Sequence, residues 1–383
     1  MSVPSRNGLT KPKRVRGSGV KMVNMGELFA NQRIQNLEMD RVPLVEKERI
    51  ALLEPNDLLF ARQSLVFEGA GQCSIFLGDD EDVCFESHLI RVRIDPVKAD
   101  PRYIFYWLLS PAGKNAISSK VEQGAGAAGI RGSDLQKVKI ELPDLEAQKK
   151  IADILGTIDE KIELNRQMNE MLEQMGQALF RHYFIDNPEV EKWQDGMISD
   201  LIAIYSGYAF KRTDFDSNGN YGLVTIKNVQ DGNFVPECSD YLSTIPAKTP
   251  DYAFLRTGDI LLSLTGNVGR VCIVHGENLL LNQRVAKLVG ADDKQSFAYF
   301  MFRQEEFKNR LISMSRGTAQ LNLSPIETKK LKMKLPPKEL LSQYHEQAEP
   351  LFEAITANYT EIQTLTTLRD TLLPRLIGGS IST

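Results

Sequence analysis

The chain has 383 residues with 46 Lys or Arg and 50 Asp or Glu, and its formal net charge of −4 does not by itself advertise nucleic-acid binding. A 42% apolar, 25% charged composition is ordinary for a globular protein of two or three domains. The most apolar run, Tyr103 to Leu109, is far too short to span a bilayer, and the basic N-terminus has no apolar stretch behind it, so neither a membrane span nor a secretory signal is expected.

Residues 1–24 hold Arg6, Lys11, Lys13, Arg14, Arg16 and Lys21 and no acid, a local basic patch in an acidic chain. Such a patch still attracts phosphate, because screening makes the field local. "DLLFA" follows the turn at Pro55-Asn56 and reads as a strand, as does "CSIFLG" after it. "LIRVRI" alternates apolar and basic residues, the pattern of a half-buried strand. Residues 101–121 read as helical. "KVKIELP" alternates again, with Val138, Ile140 and Leu142 on one face. Cys73, Cys84, Cys238 and Cys272 are scattered with no C-x-x-C pair and read as reduced cytoplasmic thiols rather than a zinc site.

A helix is expected from about 144 to 184, stopped by Asn187-Pro188. Its apolar residues Ile151, Ile154, Ile158, Ile162, Met168, Leu172, Met175 and Leu179 recur every three or four positions, a stripe suited to packing on another helix. Asn165 interrupts the stripe, where a polar residue fixes register.

The chain then says the same thing again. "FLRTGDILLSLTG" (254–266) resembles "LLEPNDLLFARQS" (52–64), and "PIETKKLKMKLP" (325–336) resembles "GSDLQKVKIELP" (132–143). "VCIVHG" repeats "CSIFLG", and residues 294–315 repeat the helical stretch. Gly8 pairs with Gly207, Asn24 with Asn228, Asp57 with Asp259 and Pro143 with Pro336, at offsets between 193 and 204. The period is far too long for a solenoid, so this is a duplicated domain. A second long helix carries Leu351, Ile355, Tyr359, Ile362, Leu365, Leu368, Leu372 and Leu376 in a stripe closed by Gly378-Gly379. Pro350 should start or kink it, leaving 338–348 as a separate turn. At about 1.5 Å per residue each helix is roughly 60 Å long, and each can hide its stripe on the other. The expected fold is therefore α+β, an internal duplication with pseudo-two-fold symmetry. It has two similar domains, 1–143 and 187–335, separated by two long antiparallel helices, 144–186 and 336–383.

No catalytic signature is present. "GAGAAGIRG" (124–132) lacks the P-loop lysine and the strand-then-helix context of a dinucleotide site. No N-P-P-[FYW]-type methyltransferase tetrapeptide occurs, and His88, His182, His275 and His345 have no ligand spacing. What remains is nucleic-acid contact. Lys11, Lys13, Arg14 and Arg16 lie opposite Lys211 and Arg212 in the repeat and are of the type that holds phosphates. Arg62, Arg131, Asn228, Arg270, Gln283, Arg284, Arg316, Gln320 and Asn322 are of the types that reach base edges.

The two long helices carry a resemblance. Residues 141–184 look like the central spacer, and 334–381 with the closing "LRDTLLPRLI" like the C-terminal spacer, of specificity subunits of type I restriction–modification systems. "RGTAQLNLS" (316–324) and Trp193, Leu201 and "YSGYAF" (205–210) resemble their second target recognition domain. The resemblance implies a non-catalytic subunit whose two recognition domains each read half of a bipartite duplex target. It implies two methylation subunits docked on the spacer helices and the recognition domains, with restriction/translocase subunits joining them; Ile158, Ile162, Asn165, Leu172, Leu179, Tyr359, Ile362 and Leu372 are the residues expected for spacer packing or partner binding. No cofactor is expected on this chain; S-adenosylmethionine, ATP and Mg2+ belong to those partners. Such a subunit is cytoplasmic.

One departure stands out. The first copy has no counterpart of Trp193 to Leu201. Either the tail after Gly379 lies where that segment would, making the arrangement circular, or the gene is shortened and the first half-site reading is altered. Other readings remain open: a DNA-independent coiled-coil scaffold, a self-contained restriction or modifying enzyme, or the specificity subunit of a related type II-like complex.

Overall fold

The computed structural model describes residues 3–315 and 321–379. The chain folds into two compact units, Met1–Glu160 with Thr367–Thr383, and Lys161–Thr366. The long helices Leu145–Phe180 and Lys338–Ile377 each contribute to both. Each unit is mixed α+β.

In the first unit a five-stranded sheet runs in the order Arg6–Asn7, Leu89–Val92, Asp57–Ala61, Cys73–Gly78, Arg33–Gln35. The three central strands are the expected "LIRV", "DLLFA" and "CSIFLG" segments, paired antiparallel. A second sheet places Val20–Val23 between Asp40–Val42 and Val83–Phe85. The second unit repeats both motifs. Ile202–Ser206, Val285–Gly290, Ile260–Ser263 and Val271–Ile273 form one antiparallel sheet. Tyr221–Val224 lies parallel to Leu279–Leu281 in the other, as Val20–Val23 lies parallel to Val83–Phe85.

Helices cover one face of each main sheet. Pro101–Leu109 starts on Asp100, whose carboxylate accepts from the N–H groups of Arg102 and Tyr103, and Ser110 caps the helix Pro111–Ser118 that follows. These caps satisfy N–H groups that a helix start leaves without intrahelical partners. Tyr103, Phe105 and Trp107 are buried on Leu58, Ile75 and Ile90, and Ile151, Ala152 and Leu155 close the core with Leu373 and Leu376. In the second unit Phe297, Tyr299 and Phe300 do the same on Ile260, Ile273 and Leu288, closed by Phe180, Tyr344, Phe352 and Ile355. Here the cap comes from a distant carboxylate: Glu349 accepts from the backbone N–H of Gln295 at 2.9 Å and of Ser296 at 3.1 Å. Burial alone would push the Glu349 carboxyl up, but these donors and the His345 ring pull it down to about 2.

Within the second unit the two long helices run antiparallel. Asn165 donates to Glu361, Asn358 to Asn169, and Gln347 to Tyr183, so the numbers rise on one helix as they fall on the other. Within the first unit, Arg369 donates to Asp159 at 2.9 Å on the same pair of helices.

Four expectations change. The second helix runs unbroken from Lys338 to Ile377 through Pro350 and Pro374. Pro350 sits exposed beside an exposed Glu346, so the Glu346 carbonyl that loses its intrahelical donor faces water, which lowers the cost of proline there. The buried stripe of the first helix is rotated from the expected one. Ile154, Met168 and Met175 are exposed, while Leu155, Asn165, Asn169 and Phe180 are buried. "LIRV" is buried on both faces rather than half-buried, because Arg91 turns in to donate to the carbonyls of Ile50 and Leu52.

Finally, "KLKMKL" forms a strand, Lys332–Leu335, paired with Gln194–Met197, but the equivalent residues 138–142 form none. No described strand lies beside 138–142 to pair with them. A strand exists only where a neighbour takes its hydrogen bonds. The tail after Gly379 lies outside the described residues.

Candidate nucleic-acid interface

In each unit the fold gathers the same four segments. In the first, Gly8 donates to the Leu89 carbonyl, Arg62 donates through its backbone to His88, and Ile130 donates to Arg62. In the second, Gly207 donates to Val285, Leu264 to Arg284, and Leu323 to Leu264. Residues 5–9, 62–64, 86–88 and 128–133 thus form one loop cluster, matched by 206–208, 264–267, 282–284 and 321–324. The glycine is required in both. A Cβ on Gly8 would lie 2.1 Å from the Phe85 carbonyl oxygen, and one on Gly207 would lie 2.0 Å from that of Asn282.

Polar side chains collect on these loops. Arg62 and Arg131 line a cavity of about 360 Å³ with Ser5, Asn7 and Ser133. Arg131 is held by Glu122 at 3.3 Å, and Arg62 is exposed with no side-chain acceptor among the described residues. Gln63 and His88 meet at 3.0 Å. In the second unit Gln283, Arg284 and Asn322 are exposed, and Asn322 bridges to Thr265. Arg284 has φ of +72°, the one long side chain in the left-handed region among the described residues. That conformation is costly for a residue with a Cβ and concentrates at functional sites.

The other sequence candidates divide. Lys13, Arg14, Lys211 and Arg212 are exposed on short 3-10 turns at repeat-equivalent places, with no acid on their side chains among the described residues. Lys11 is instead paired with Glu48 at 2.7 Å. Arg16 is bound to Asp40 and to the Asn24 side chain. Both hold the fold, and their charge is answered locally.

Asn228 is also a correction. It is buried, accepts from the Thr225 N–H at 2.8 Å, and donates to the carbonyls of Val235 and Glu237. A side chain with all its bonds made inside a turn has none left for a base. The matching parallel strand pairs set Val224 where Val23 stands, so Asn228 corresponds not to Asn24, as the sequence repeat suggested, but to Glu27, whose carboxylate accepts from the Asn24 N–H as Asn228 accepts from that of Thr225. Arg270 is turned to Gln230 and the Asn267 amide rather than outward. Arg316 and Gln320 lie outside the described residues.

Of the residues expected for spacer packing or partner binding, the structure shows the packing role. Ile162 and Asn165 are buried, and Ile158, Leu172, Leu179, Tyr359, Ile362 and Leu372 are half-buried. They serve packing within the chain. Tyr359, for example, donates to the Gly232 carbonyl at 2.7 Å. The outward apolar row is a different one: Leu164, Met168, Met171 and Met175, exposed by 50, 36, 56 and 57%. Their spacing of four, three and four places them on one helix face. Sequence periodicity found a stripe but not which face looks out.

No helix of the described residues is long and apolar enough to cross a membrane. Two segments, residues 17–174 and 190–361, match the family model described as type I restriction modification DNA specificity domain. The type I restriction enzyme HindI specificity subunit of Haemophilus influenzae is 24% identical, with 94% of each chain covered. The MjaIX specificity subunit of Methanocaldococcus jannaschii is 27% identical over 72% of this chain and 68% of its own length. The crystal structure of a type I restriction–modification S subunit from M. genitalium shares the fold, with a TM-score of 0.57 at 16% identity over 97% of this chain and 92% of that one. With a loop cluster built twice and both copies matched, the chain belongs to the type I restriction–modification DNA specificity family.

Proposed function

We propose that this chain is the DNA-recognition subunit of a type I restriction–modification complex and that each unit reads one half of a bipartite, asymmetric duplex target. The observation that carries this is the loop cluster formed twice by the same four segments with unlike side chains: Arg62, Gln63, His88 and Arg131 in one, Gln283, Arg284 and Asn322 in the other. Repeated architecture with divergent tips suits two readers of different sequence. Lys13, Arg14, Lys211 and Arg212 supply phosphate contacts, which set position without reading sequence. Arginine, glutamine and asparagine at the clusters supply base-edge donors and acceptors.

On this reading residues 1–143 and 187–335 are the recognition domains, and 144–186 and 336–383 the spacer. Two methylation subunits dock on the spacer, and restriction/translocase subunits join them. The exposed row Leu164, Met168, Met171 and Met175 supports such docking, since flexible thioethers adapt to a partner surface. The chain itself is non-catalytic. S-adenosylmethionine, ATP and Mg2+ bind on the partner subunits, and the complex works in the cytoplasm.

The test maps methylated adenines in host DNA with and without this gene. A two-part motif that vanishes with the gene supports the reading. Methylation unchanged by its loss, or a single uninterrupted motif, contradicts it.

A further inference from the structure

The loop clusters of the two units differ by one insertion. Ala61 accepts from Gly71 and donates to Gln72 in the first unit, just as Ser263 accepts from Gly269 and donates to Arg270 in the second. Between these fixed points the first unit has residues 62–70 and the second 264–268, so the first carries four extra residues. The insertion holds Leu65, Val66 and Phe67, exposed by 87, 61 and 37%. The corresponding loop 264–268 of the second unit has no exposed apolar side chain; its Leu264 and Val268 are buried.

The tip does not stand apart from the polar residues. Gln63–Ser64 pairs with Ala128–Gly129, and Leu65 emerges directly from that pairing. Leu65, Gln63 and His88 line one cavity of about 380 Å³ with Met25, Phe29 and Ala127. Its apolar walls adjoin the Gln63–His88 pair. The loop is also held in place: the Ser64 hydroxyl accepts from the Val66 N–H at 3.2 Å, and a Cβ on Gly69 would strike that same hydroxyl at 2.3 Å. An apolar tip fixed beside polar readers faces whatever those readers face.

We propose that Leu65 and Val66 pack on the C5-methyl group of a thymine in the major groove of the half-site read by the first unit. This rests on the reading of that unit as a DNA reader. The major groove presents one large apolar feature, the thymine methyl, beside the acceptors and donors of its neighbours. Gln63, His88 and Arg62 take the polar edges, and the inserted tip takes the methyl. The second unit has no counterpart of this insertion between Ser263 and Gly269.

The test uses the complex assembled with its methylation subunits and duplexes carrying the mapped target. Each thymine is replaced in turn by deoxyuridine, which removes only the methyl. For the unaltered complex, one replacement lowers affinity about four-fold, the worth of one buried methyl. The Leu65→Ala, Val66→Ala complex binds the thymine duplex about that much more weakly and no longer distinguishes thymine from deoxyuridine there. Leu65→Ser with Val66→Ser serves as a second variant, and unfolding temperature verifies the fold. The proposal is overturned if no thymine matters, or if the variants remain as sensitive to deoxyuridine as the parent. It is also overturned if they bind DNA normally but fail to assemble with the methylation subunits, which would make the tip a protein-docking surface. A parent complex with no sequence preference would sink the reading of the unit as a DNA reader, and this proposal with it.

Discussion

The buried amide of Asn165 donates to the Glu361 carboxylate at 2.7 Å, while its own carbonyl oxygen is buried with no partner among the described residues. Asn169, one turn on, is satisfied at both ends: it donates to the Ile355 carbonyl and accepts from Asn358 at 2.8 Å. The two asparagines therefore differ in what their loss costs. Asn165→Leu removes an unpaired buried acceptor and leaves Glu361 its partner Lys161 at 3.2 Å, so thermal unfolding is expected to hold or rise. Asn169→Leu strands the Asn358 amide and is expected to cost about 1–3 kcal/mol. Equal losses in denaturant unfolding would contradict the assignment.

Glu349 gives the second unit an acid-sensitive helix start. Its carboxyl is held at about 2 against an ordinary value of 4.5. Because the folded value is the lower one, the stabilisation is complete above about pH 4.5 and is lost as pH falls towards 2. Its full size is about 3 kcal/mol. Glu349→Gln should flatten the fall in stability over that window; an unchanged pH profile would show that other carboxylates carry it.

Arg62 and Arg131 are predicted to meet phosphate or base edges from the polar cavity of the first unit. Arg62→Ala and Arg131→Ala should each weaken DNA binding by the complex. If the contact is to phosphate, each lowers the slope of log affinity against log salt by about 0.9. Wild-type affinity and slope in both variants would remove that cavity from the interface.

Gly207→Ala places a Cβ 2.0 Å from the Asn282 carbonyl oxygen. Backbone cannot yield as a flexible side chain does, so the segment 282–284 must shift. The cost is expected to be about 1–3 kcal/mol. Reading by the second unit should suffer while the first half of the motif is unaffected. A variant with parental unfolding temperature and motif would show that the close approach is not required.

Much of this architecture was legible in the letters. A short apolar run after a turn marked "DLLFA", alternation marked "LIRV", the helical period marked both spacers, and the repeat itself marked which loops correspond. The failures have physical causes. "KVKIELP" carries a strand pattern, but a strand needs a partner, and among the described residues none lies beside it. Asn228 has the chemistry of a reader, yet its bonds close a turn. Leu65 and Val66 gave no signal of their own in the sequence, because composition does not tell an inserted loop tip from a strand. The phase of the spacer stripe was missed because apolar residues occupy two faces of the first helix, one packed and one exposed.

The central claim is that the two loop clusters read separate halves of one target. Its most direct measurement maps methylated adenines made by the complex carrying Gln283→Ala and Arg284→Ala. The account predicts that the half of the motif read by the second unit relaxes or changes while the other half and the gap between them stay as in the parent. A motif altered in both halves, or in neither, would contradict it.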